Sequence, residues 1–444
     1  MTKIPIIMCI DVEPDAHPVD LRPEKDWDGF LKAYQYFGRL RSRLERLTKS
    51  PVHFSWFLRI DPSMARIYGS PSWVVERYSG LIGELEAEGD EVGLHPHISR
   101  WNEASRFWFS DFGDQEWVNH CARTSFEAFQ KSLGRTCRSC RFGDRWTNSA
   151  TLNLVEEMGA RFDLTIEPGI KAAGLGPAFV GAELDYSGIS LHPYHPSRDD
   201  FRKAGANRPL WSIPLSTGKA EWGLATLDAP GIDRPSSDIS RDSESVPRPC
   251  AAGTINPDYR GFLDQADCQT IAGWAHDLRQ PDTVVNIDIY DGDTLLNTVP
   301  ADCLRLDLFL AGKRNGRQAF FIKVPSWMKD GKPHSIRVRV AGTDRDLSGS
   351  PKTICCDGDV CPDESMTVIL NRPSQITCKI IDVLLRSRVP YLAMVLRSDH
   401  PASQAGQINL DLTFDYLLSQ SHVLAERFVF ETPERMIRRF EVAS

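Results

Sequence analysis

Residues 4–15, IPIIMCIDVEPD, join a short apolar run to three acidic side chains. The apolar run has the length of one buried strand and is far too short to span a membrane. In parallel α/β folds the functional groups lie where the strands end, at the carboxyl-terminal mouth. Asp11, Glu13 and Asp15 are therefore candidates for a functional site at the end of the first strand. A solvated strand-end loop of the same composition is the alternative.

Strand-like and helix-like segments alternate after this first strand. Helical spacing of leucines and aromatics over 28–47 leads to the apolar run 52–58, and a second helix-like stretch, 73–88, leads to the strand-like EVGLHPH. Further helix-like stretches cover 114–133 and 149–158. This alternation is typical of an α/β fold with a parallel sheet or barrel inside and helices outside.

The composition changes twice in the second half of the chain. Residues 226–257 are rich in Pro, Ser and Asp and predict a linker, and a second turn-rich stretch covers 348–365. Between them, alternating β-branched residues predict an all-β sandwich over 258–350. Mixed helix and strand patterns return over 365–444. We therefore expect a discontinuous parent domain, formed by 1–225 and this last segment, with the sandwich inserted into it.

Length, charge and hydropathy exclude several classes of protein. With 444 residues the chain is long enough for two or three domains. The net charge is −8 and the basic residues are scattered, which argues against a nucleic-acid partner. No stretch approaches the ~20 apolar residues of a membrane span, and the amino terminus does not have the pattern of a signal peptide. These features predict a cytoplasmic protein.

The eleven cysteines are odd in number and scattered along the chain. That distribution favours reduced thiols over a disulfide framework. Cys137 and Cys140 form one CxxC pair, and a four-thiolate zinc site would also need ligands from Cys355, Cys356 and Cys361. Nothing in the sequence brings the two groups together, so the thiolate site is the weaker alternative.

Histidines and an arginine follow other predicted strands. His95 and His97 stand on either side of a proline at the end of a strand-like run, which suits one divalent metal ion. Arg141 lies in the turn-rich RFGDRW, where a guanidinium would pair with a catalytic carboxylate and keep it ionised. His192 and His195 form another pair in the loop HPYHPS, which its prolines stiffen. Structural histidines and a surface ion pair are the alternatives at these positions.

The order of these motifs resembles the polysaccharide deacetylase family, whose fold is a distorted (β/α) barrel. The matching segments are CIDVEPD, EVGLHPHISRW and RFGDRWTNSATLNLVEEMGARFDLTIEPG, and the resemblance covers 1–220 and 365–444. The third segment is the most specific, because its arginine turn, helix and aspartate-containing strand recur as a unit. The resemblance is to the divergent branch found among envelope-polysaccharide enzymes.

The resemblance implies a role for each matched residue. Asp11 would be the general base and Arg141 its partner. Glu13 would be the acidic metal ligand, with Asp15 as the alternative, and His95 would be the first histidine ligand. The metal would be zinc or another first-row divalent ion.

Two positions depart from the family pattern. The family has its second histidine ligand four residues after the first, where this chain has Ser99, so the role passes to His97. A strand near the end of the family's domain carries the histidine that acts as general acid, and the corresponding run here has Arg397. His195 or His192 would then supply the proton, or the arginine would stabilise the oxyanion instead.

The implied activity is metal-dependent removal of N-acetyl groups from a carbohydrate of the cell envelope. A hydrolase of a small cyclic amide or ureide on the same fold is one alternative, and an inactive carbohydrate-binding or assembly protein is another. The inserted segment resembles a β-sandwich module that accompanies carbohydrate-active and envelope proteins. Its Trp274 and Trp327 are candidates for stacking on sugar rings, although tryptophan in a sandwich more often belongs to the core.

Overall fold

The structure is a computed structural model in which the chain divides into two compact units. One unit consists of Met1–Ala220 together with Pro362–Ser444, and the other is Glu221–Cys361. The structure describes residues 3–15, 21–23, 26–104, 106–170, 179–181, 185–218, 258–268, 270–280, 283–304, 317–324, 328, 330–357, 366–371 and 374–443. The predicted linker 226–257 lies outside these residues, as do Trp327 and Cys361.

The first unit alternates strands and helices along the chain. Its strands are β1 (Ile4–Val12), β2 (Ser55–Leu58), β3 (Glu91–Leu94), β4 (Ser99–Asn102), β5 (Phe107–Asp111), β6 (Ser139–Cys140), β7 (Phe162–Asp163), β8 (Phe179–Val180), β9 (Trp211–Ser212), β10 (Thr217–Gly218), β19 (Met366–Thr367), β20 (Leu392–Arg397) and β21 (Phe428–Phe430). Its helices are α1 (Asp28–Thr48), α2 (Pro62–Tyr68), α3 (Trp73–Ala87), α4 (Gln115–Leu133), α5 (Ser149–Glu157), α6 (Ser374–Arg386), α7 (Gln404–Asp415) and α8 (Pro433–Ala443). The helices predicted from hydrophobic spacing are confirmed to within a residue or two.

The main sheet of this unit is parallel and curls on itself. Its strand order is β20-β1-β2-β3-β6-β7-β9, with β21 also paired to β1. Beyond β9 the chain runs on to the opposite end of the sheet, where the Ser216 amide donates to the Ala393 carbonyl of β20 at 2.9 Å. The two ends of the sheet are thereby joined, and the predicted distorted (β/α) barrel is confirmed.

The side chains of alternate strand residues fill the barrel and set which residues reach its mouth. The buried interior cluster consists of Ile7, Cys9, Phe57, Phe162, Leu164, Ile213, Leu215, Tyr391, Ala393, Val395, Met436 and Ile437. Since alternate residues of a strand share a face, Asp11 points inward like the two β1 members of this cluster. Asp11 is in register with Phe57 on one side and Arg397 on the other. The carboxyl end of β1 therefore delivers its acids to the barrel mouth.

The second unit is all β. Its strands are β11 (Tyr259–Ala266), β12 (Thr270–Asp277), β13 (Val285–Asp291), β14 (Thr294–Ala301), β15 (Cys303–Leu304), β16 (Arg317–Lys323), β17 (Asp330–Val340) and β18 (Lys352–Asp357). They form two antiparallel sheets, β11-β12-β16-β15 and β14-β13-β17-β18. One apolar cluster takes buried residues from both sheets, among them Ile271, Phe320, Ile287 and Val338. The predicted sandwich is confirmed.

A disulfide in the second unit corrects the expectation of reduced thiols. Cys268 and Cys356 are bonded and lie 88 positions apart in the sequence. Cys137 and Cys140 are free and buried in the first unit. Because Cys356 already has a partner, it is not available to the four-thiolate zinc site considered above. Across the described ranges, no helix combines the length and the apolar composition that crossing a membrane requires.

Candidate metal centre

Three side chains converge at the mouth of the barrel. Glu13 follows β1, while His95 and His97 follow β3, and each is at most 5% exposed. The two histidine Nε2 atoms are 3.2 Å apart. His95 Nε2 lies 3.5 Å from Glu13 Oε1, and His97 Nε2 lies 3.3 Å from Glu13 Oε2. In the part of the chain that the structure describes, this is the group of side chains able to hold a metal ion.

The partners of the two histidine Nδ1 atoms determine whether the Nε2 atoms are able to bind a metal ion. His95 Nδ1 lies 2.7 Å from the Arg141 carbonyl oxygen, and because a carbonyl only accepts, Nδ1 is the donor. His97 Nδ1 lies 3.5 Å from Asp144 Oδ2, which also accepts. In the neutral form of each ring, Nε2 then carries a lone pair that is able to bind a metal ion. Partners of this kind orient metal-bound histidines in proteins generally.

The spacing of the three groups fits a small divalent ion. Two facing lone pairs at 3.2 Å repel each other unless a cation or a proton lies between them. Tetrahedral coordination with bonds of 2.0–2.1 Å places neighbouring ligand atoms about 3.3 Å apart. The observed separations of 3.2, 3.3 and 3.5 Å are close to that value.

The electrostatics of the cluster favour a positive charge at its centre. Burial and Arg59 both oppose protonation of His97, yet Asp144 and Glu13 raise its pKa to about 9. Burial likewise opposes ionisation of Glu13, but the two histidines lower its pKa well below the usual range. The carboxylates thus favour the protonated form of His97 strongly enough to overcome its desolvation.

Asp11 lies beside this cluster and is held by Arg141. The arginine Nε lies 3.2 Å from Oδ1 and 3.1 Å from Oδ2, and both side chains are buried. A third contact ties the guanidinium to the Leu164 carbonyl at 3.3 Å. Burial opposes the charged form of Arg141, but Asp11 and Glu167 raise its pKa. The predicted pairing of Asp11 with Arg141 is therefore present in the structure.

Two further arginines hold Glu13 and were not predicted as its partners. Arg59 follows β2, and its Nη1 lies 3.2 Å from Glu13 Oε2. Arg397 ends β20, and its Nη1 lies 3.4 Å from Glu13 Oε1. Arg59 is 3% exposed, so its buried positive charge needs the Glu13 carboxylate for compensation. The sequence feature that could have identified Arg59 is its position directly after a strand-like run. Glu13 has the same kind of position, after β1.

Asp61 joins the segment that carries His97 to the start of α2. Its carboxylate caps this helix by accepting a hydrogen bond from the Ser63 amide. It also accepts from the His97 amide at 3.2 Å. The same carboxylate accepts from Arg59 Nε at 3.2 Å. One buried acid therefore fixes both the backbone of His97, a candidate ligand, and an arginine that contacts Glu13.

Close packing around His97 requires a glycine. A Cβ atom at Gly143 would lie 2.4 Å from the His97 ring, and no side chain fits there without moving it. The next residue, Asp144, has φ of 54°, an unusual backbone angle for a residue with a side chain. Its Oδ2 accepts from the Ser110 hydroxyl at 2.8 Å as well as from His97. The turn thus directs the Asp144 carboxylate toward His97, a candidate metal ligand.

Glu167 is a buried acid that the sequence reasoning did not select. It follows β7, is 1% exposed, and its Oε1 lies 3.8 Å from Arg141 Nη2. The Thr367 hydroxyl donates to its Oε2 at 2.5 Å, and Oε1 accepts no hydrogen bond among the described residues. Glu167 is therefore a second buried carboxylate beside the guanidinium that holds Asp11. The available signal was its position in RFDLTIEPG, at a strand end.

The other predicted residues lie elsewhere. Asp15 accepts from the Gly29 amide at 2.9 and 3.0 Å, at the start of α1, and is not part of the metal-binding group. Ser99 begins β4. His195 Nδ1 lies 3.0 Å from the Leu210 carbonyl, and its ring packs on Trp211 at the amino-terminal start of β9. These contacts do not bring His195 to Asp11 and Glu13, so its role as general acid stays a prediction.

The fold and the buried Glu-His-His group together define a β/α barrel with a candidate metal site at its mouth. No protein-family model and no curated protein matches the sequence. Several solved structures are similar, and two of them are described as candidate polysaccharide deacetylases. One is a candidate polysaccharide deacetylase from Mycobacterium smegmatis, with 16% identity, 48% of this chain and 59% of that chain covered, and a TM-score of 0.30.

Two further solved structures are similar in the same way. A candidate polysaccharide deacetylase of O-antigen biosynthesis from Bordetella bronchiseptica has 18% identity, with 47% of this chain and 57% of that chain covered, and a TM-score of 0.21. IcaB from Ammonifex degensii has 14% identity, with 41% of this chain and 92% of that chain covered, and a TM-score of 0.20. The match spans less than two thirds of the first two proteins. At these values the likeness carries no inference about activity, which has to come from the site itself.

Proposed function

We propose that this chain is a metal-dependent hydrolase that removes N-acetyl groups from a carbohydrate of the cell envelope. The observation that carries the proposal is the convergence of two imidazole lone pairs and a carboxylate beside a second carboxylate, Asp11, that does not belong to the ligand set. Such a pairing separates the group that holds a metal from the group that moves a proton.

Glu13, His95 and His97 would hold one divalent ion, and zinc suits this set of imidazole and carboxylate donors. When bound, such an ion polarises the acetyl carbonyl and lowers the pKa of a water to near neutrality. The chain's own contribution is to fix the ligands in advance. Arg141 does so through its carbonyl oxygen and Asp144 through its carboxylate, each holding one imidazole by Nδ1.

Asp11 is the proposed acceptor of the proton from the attacking water. Arg141 holds both of its oxygens, and its Oδ1 lies 3.7 Å from His95 Nδ1, which puts the carboxylate next to the ligand cluster. A fixed carboxylate in this position can take a proton as the water attacks the acetyl carbon. The carbon–nitrogen bond then breaks, and the amine nitrogen needs a proton because an amide anion is a poor leaving group.

The groups around Asp11 narrow the choice of proton donor. Among the described residues that contact Asp11 or Glu13, the guanidiniums of Arg59, Arg141 and Arg397 do not release protons at accessible pH. The two histidines are engaged as ligands. We infer that Asp11 returns to the amine the proton that it took from water. Arg397, next to Glu13 at the end of β20, would stabilise the negative charge that develops on the carbonyl oxygen.

The test combines metal analysis with product analysis on the full chain. We expect about one divalent ion per chain, and release of acetate and free amine in equal amounts from N-acetylated sugar oligomers. Metal-loaded protein that hydrolyses cyclic amides or ureides but releases no acetate from sugars would favour the small-substrate alternative. Protein that binds no metal and hydrolyses neither substrate would favour the inactive binding protein.

A further inference from the structure

A short hairpin leads directly away from the metal ligands. It consists of β4 and β5, and β4 begins two residues after His97. Trp101 and Trp108 are cross-strand partners in this hairpin, and both are partly exposed. Their ring centroids are 5.3 Å apart, with 60° between the planes. The Trp101 indole Nε1 donates to Glu103 Oε2 at 3.1 Å, which helps to fix its orientation.

The tryptophan pair lies on the face of the hairpin that is turned toward the metal centre. Trp108 and Ser110 are two residues apart on β5 and so share a face. The Ser110 hydroxyl donates to Asp144, which in turn accepts from His97. The tryptophan pair therefore lies on the same face of the hairpin as Ser110 but farther from the candidate metal centre. A step of two residues along the strand leads from Ser110 to Trp108, which corresponds to about 7 Å. That is of the order of one sugar residue.

The opposite face of the hairpin attaches it to the barrel unit. Arg100 donates to Asp111 at 2.8 Å and lies over the Trp117 ring of α4, 4.6 Å from its centroid. A second carboxylate, Asp114, lies 3.3 Å from the same guanidinium. These contacts hold the hairpin in place through its other face and leave the face with the two tryptophans uninvolved in that attachment.

We propose that Trp101 and Trp108 form a stacking platform for a sugar residue next to the one that carries the acetyl group. The proposal rests on the proposed hydrolase function and deepens it, since it makes the substrate an oligosaccharide or polysaccharide. The flat, apolar carbon–hydrogen face of a pyranose ring packs on aromatic rings, and binding sites use such rings together with a few polar groups. A monosaccharide or a cyclic amide bound at the metal would not reach the pair.

The test compares chain lengths in the full-length, metal-loaded protein. The substrates are N-acetylglucosamine and its oligomers of two to six residues, in β-1,4 and β-1,6 linkage. For Trp101→Ala and Trp108→Ala, we expect the ratio of kcat/KM on the oligomers to kcat/KM on the monosaccharide to fall about tenfold, the usual effect of truncating an aromatic anchor. Trp→Phe at either position should recover most of the ratio, because an aromatic face is retained. Equal losses on all lengths, or no loss on oligomers, would overturn the platform.

A control variant and a binding measurement separate this proposal from the proposed function. Phe107→Ala removes an aromatic ring from the other face of the same hairpin and should leave the ratio unchanged. Oligomer binding is followed in parallel by tryptophan fluorescence and calorimetry. Wild-type protein that binds oligomers through the pair but releases no acetate would refute the hydrolase and keep the platform. Wild-type protein that binds none of the oligomers would refute the platform, whatever it hydrolyses.

Discussion

Replacing Asp11 with asparagine separates proton transfer from metal binding. An asparagine side chain keeps an oxygen that can accept from Arg141 Nε, which now lies 3.1 and 3.2 Å from the two carboxylate oxygens. The candidate ligands Glu13, His95 and His97 are untouched by this change. The amide cannot take a proton at neutral pH, so kcat should fall by about 10²–10⁴-fold, or roughly 3–5 kcal/mol in activation free energy.

Asp11→Asn is also expected to lower the free energy of unfolding, which limits the temperature at which activity can be measured. Arg141 is buried and would keep one charged neighbour, Glu167, whose Oε1 lies 3.8 Å away. Removing one partner of a buried ion pair costs about 3–5 kcal/mol, but the remaining hydrogen bond reduces the expected loss for Asp11→Asn to about 1–3 kcal/mol. Activity should therefore be measured well below the Tm of the variant.

Acetate release and metal content are measured on the same preparation of Asp11→Asn. The matched control is Asp15→Asn, because Asp15 is the same residue type on the same segment but bonds to the Gly29 amide at the start of α1. The control should keep both metal and turnover. Substantial turnover by metal-loaded Asp11→Asn would refute the base assignment. Loss of metal in Asp11→Asn combined with retention in Glu13→Ala would mean that the two roles are exchanged.

Four further outcomes are expected. The double variant His95→Ala/His97→Ala should lose the metal, since two of three protein ligands are gone; stoichiometric metal by mass spectrometry would contradict the site. Glu167→Gln should keep the metal but lower kcat about tenfold by loosening the arginine that fixes the base, a loss of roughly 1.4 kcal/mol; unchanged kcat would make Glu167 purely structural. Burial raises the pKa of Asp163 from 3.8 to about 6. The native carboxyl therefore keeps its proton between about pH 4 and 6 while the unfolded chain loses it, so stability falls as pH rises through that range. Asp163→Asn should remove about 3 kcal/mol of this dependence in urea unfolding, and identical pH profiles would argue against it. Deleting 258–347 and joining the flanks with a flexible linker should leave a barrel unit that unfolds cooperatively, and a broad, non-cooperative transition would show the sandwich to be part of its core.

Local patterns in the sequence were sufficient for the first strands of the barrel, its long helices and the ligand candidates. Strand period decides which way a side chain points, so the inward direction of Asp11 follows from the apolar residues at alternate positions before it. The ends of parallel strands meet at one edge, which brings His95 and His97 toward the acids of β1. These inferences depend only on residues close together in the sequence or on a general rule of the fold.

Contacts between distant segments were not available from such patterns. Arg59 and Glu167 each follow a different strand, and only the register of the sheet shows that one faces Glu13 and the other faces Arg141. The direction in which the HPYHPS loop runs could not be inferred from the sequence either. An antiparallel bridge between Tyr194 and Ser212 directs it along β9 toward the start of that strand. The Cys268–Cys356 disulfide was missed for the same reason, since the spacing of scattered cysteines does not specify which of them meet.

The position of β1 between β2 and β20 has a consequence for biosynthesis. β1 is made before β20, which lies beyond the whole sandwich unit, so a nascent chain holds β1 with one edge unpaired until β20 has been synthesised. Pairing of such distant segments is slow, and an exposed apolar edge invites pairing with another chain. A transcript truncated before β20 would therefore yield an aggregation-prone product that also lacks the Arg397 contact to Glu13. Expression trials of shortened chains should keep the last eighty residues for this reason, even where only the amino-terminal motifs are of interest.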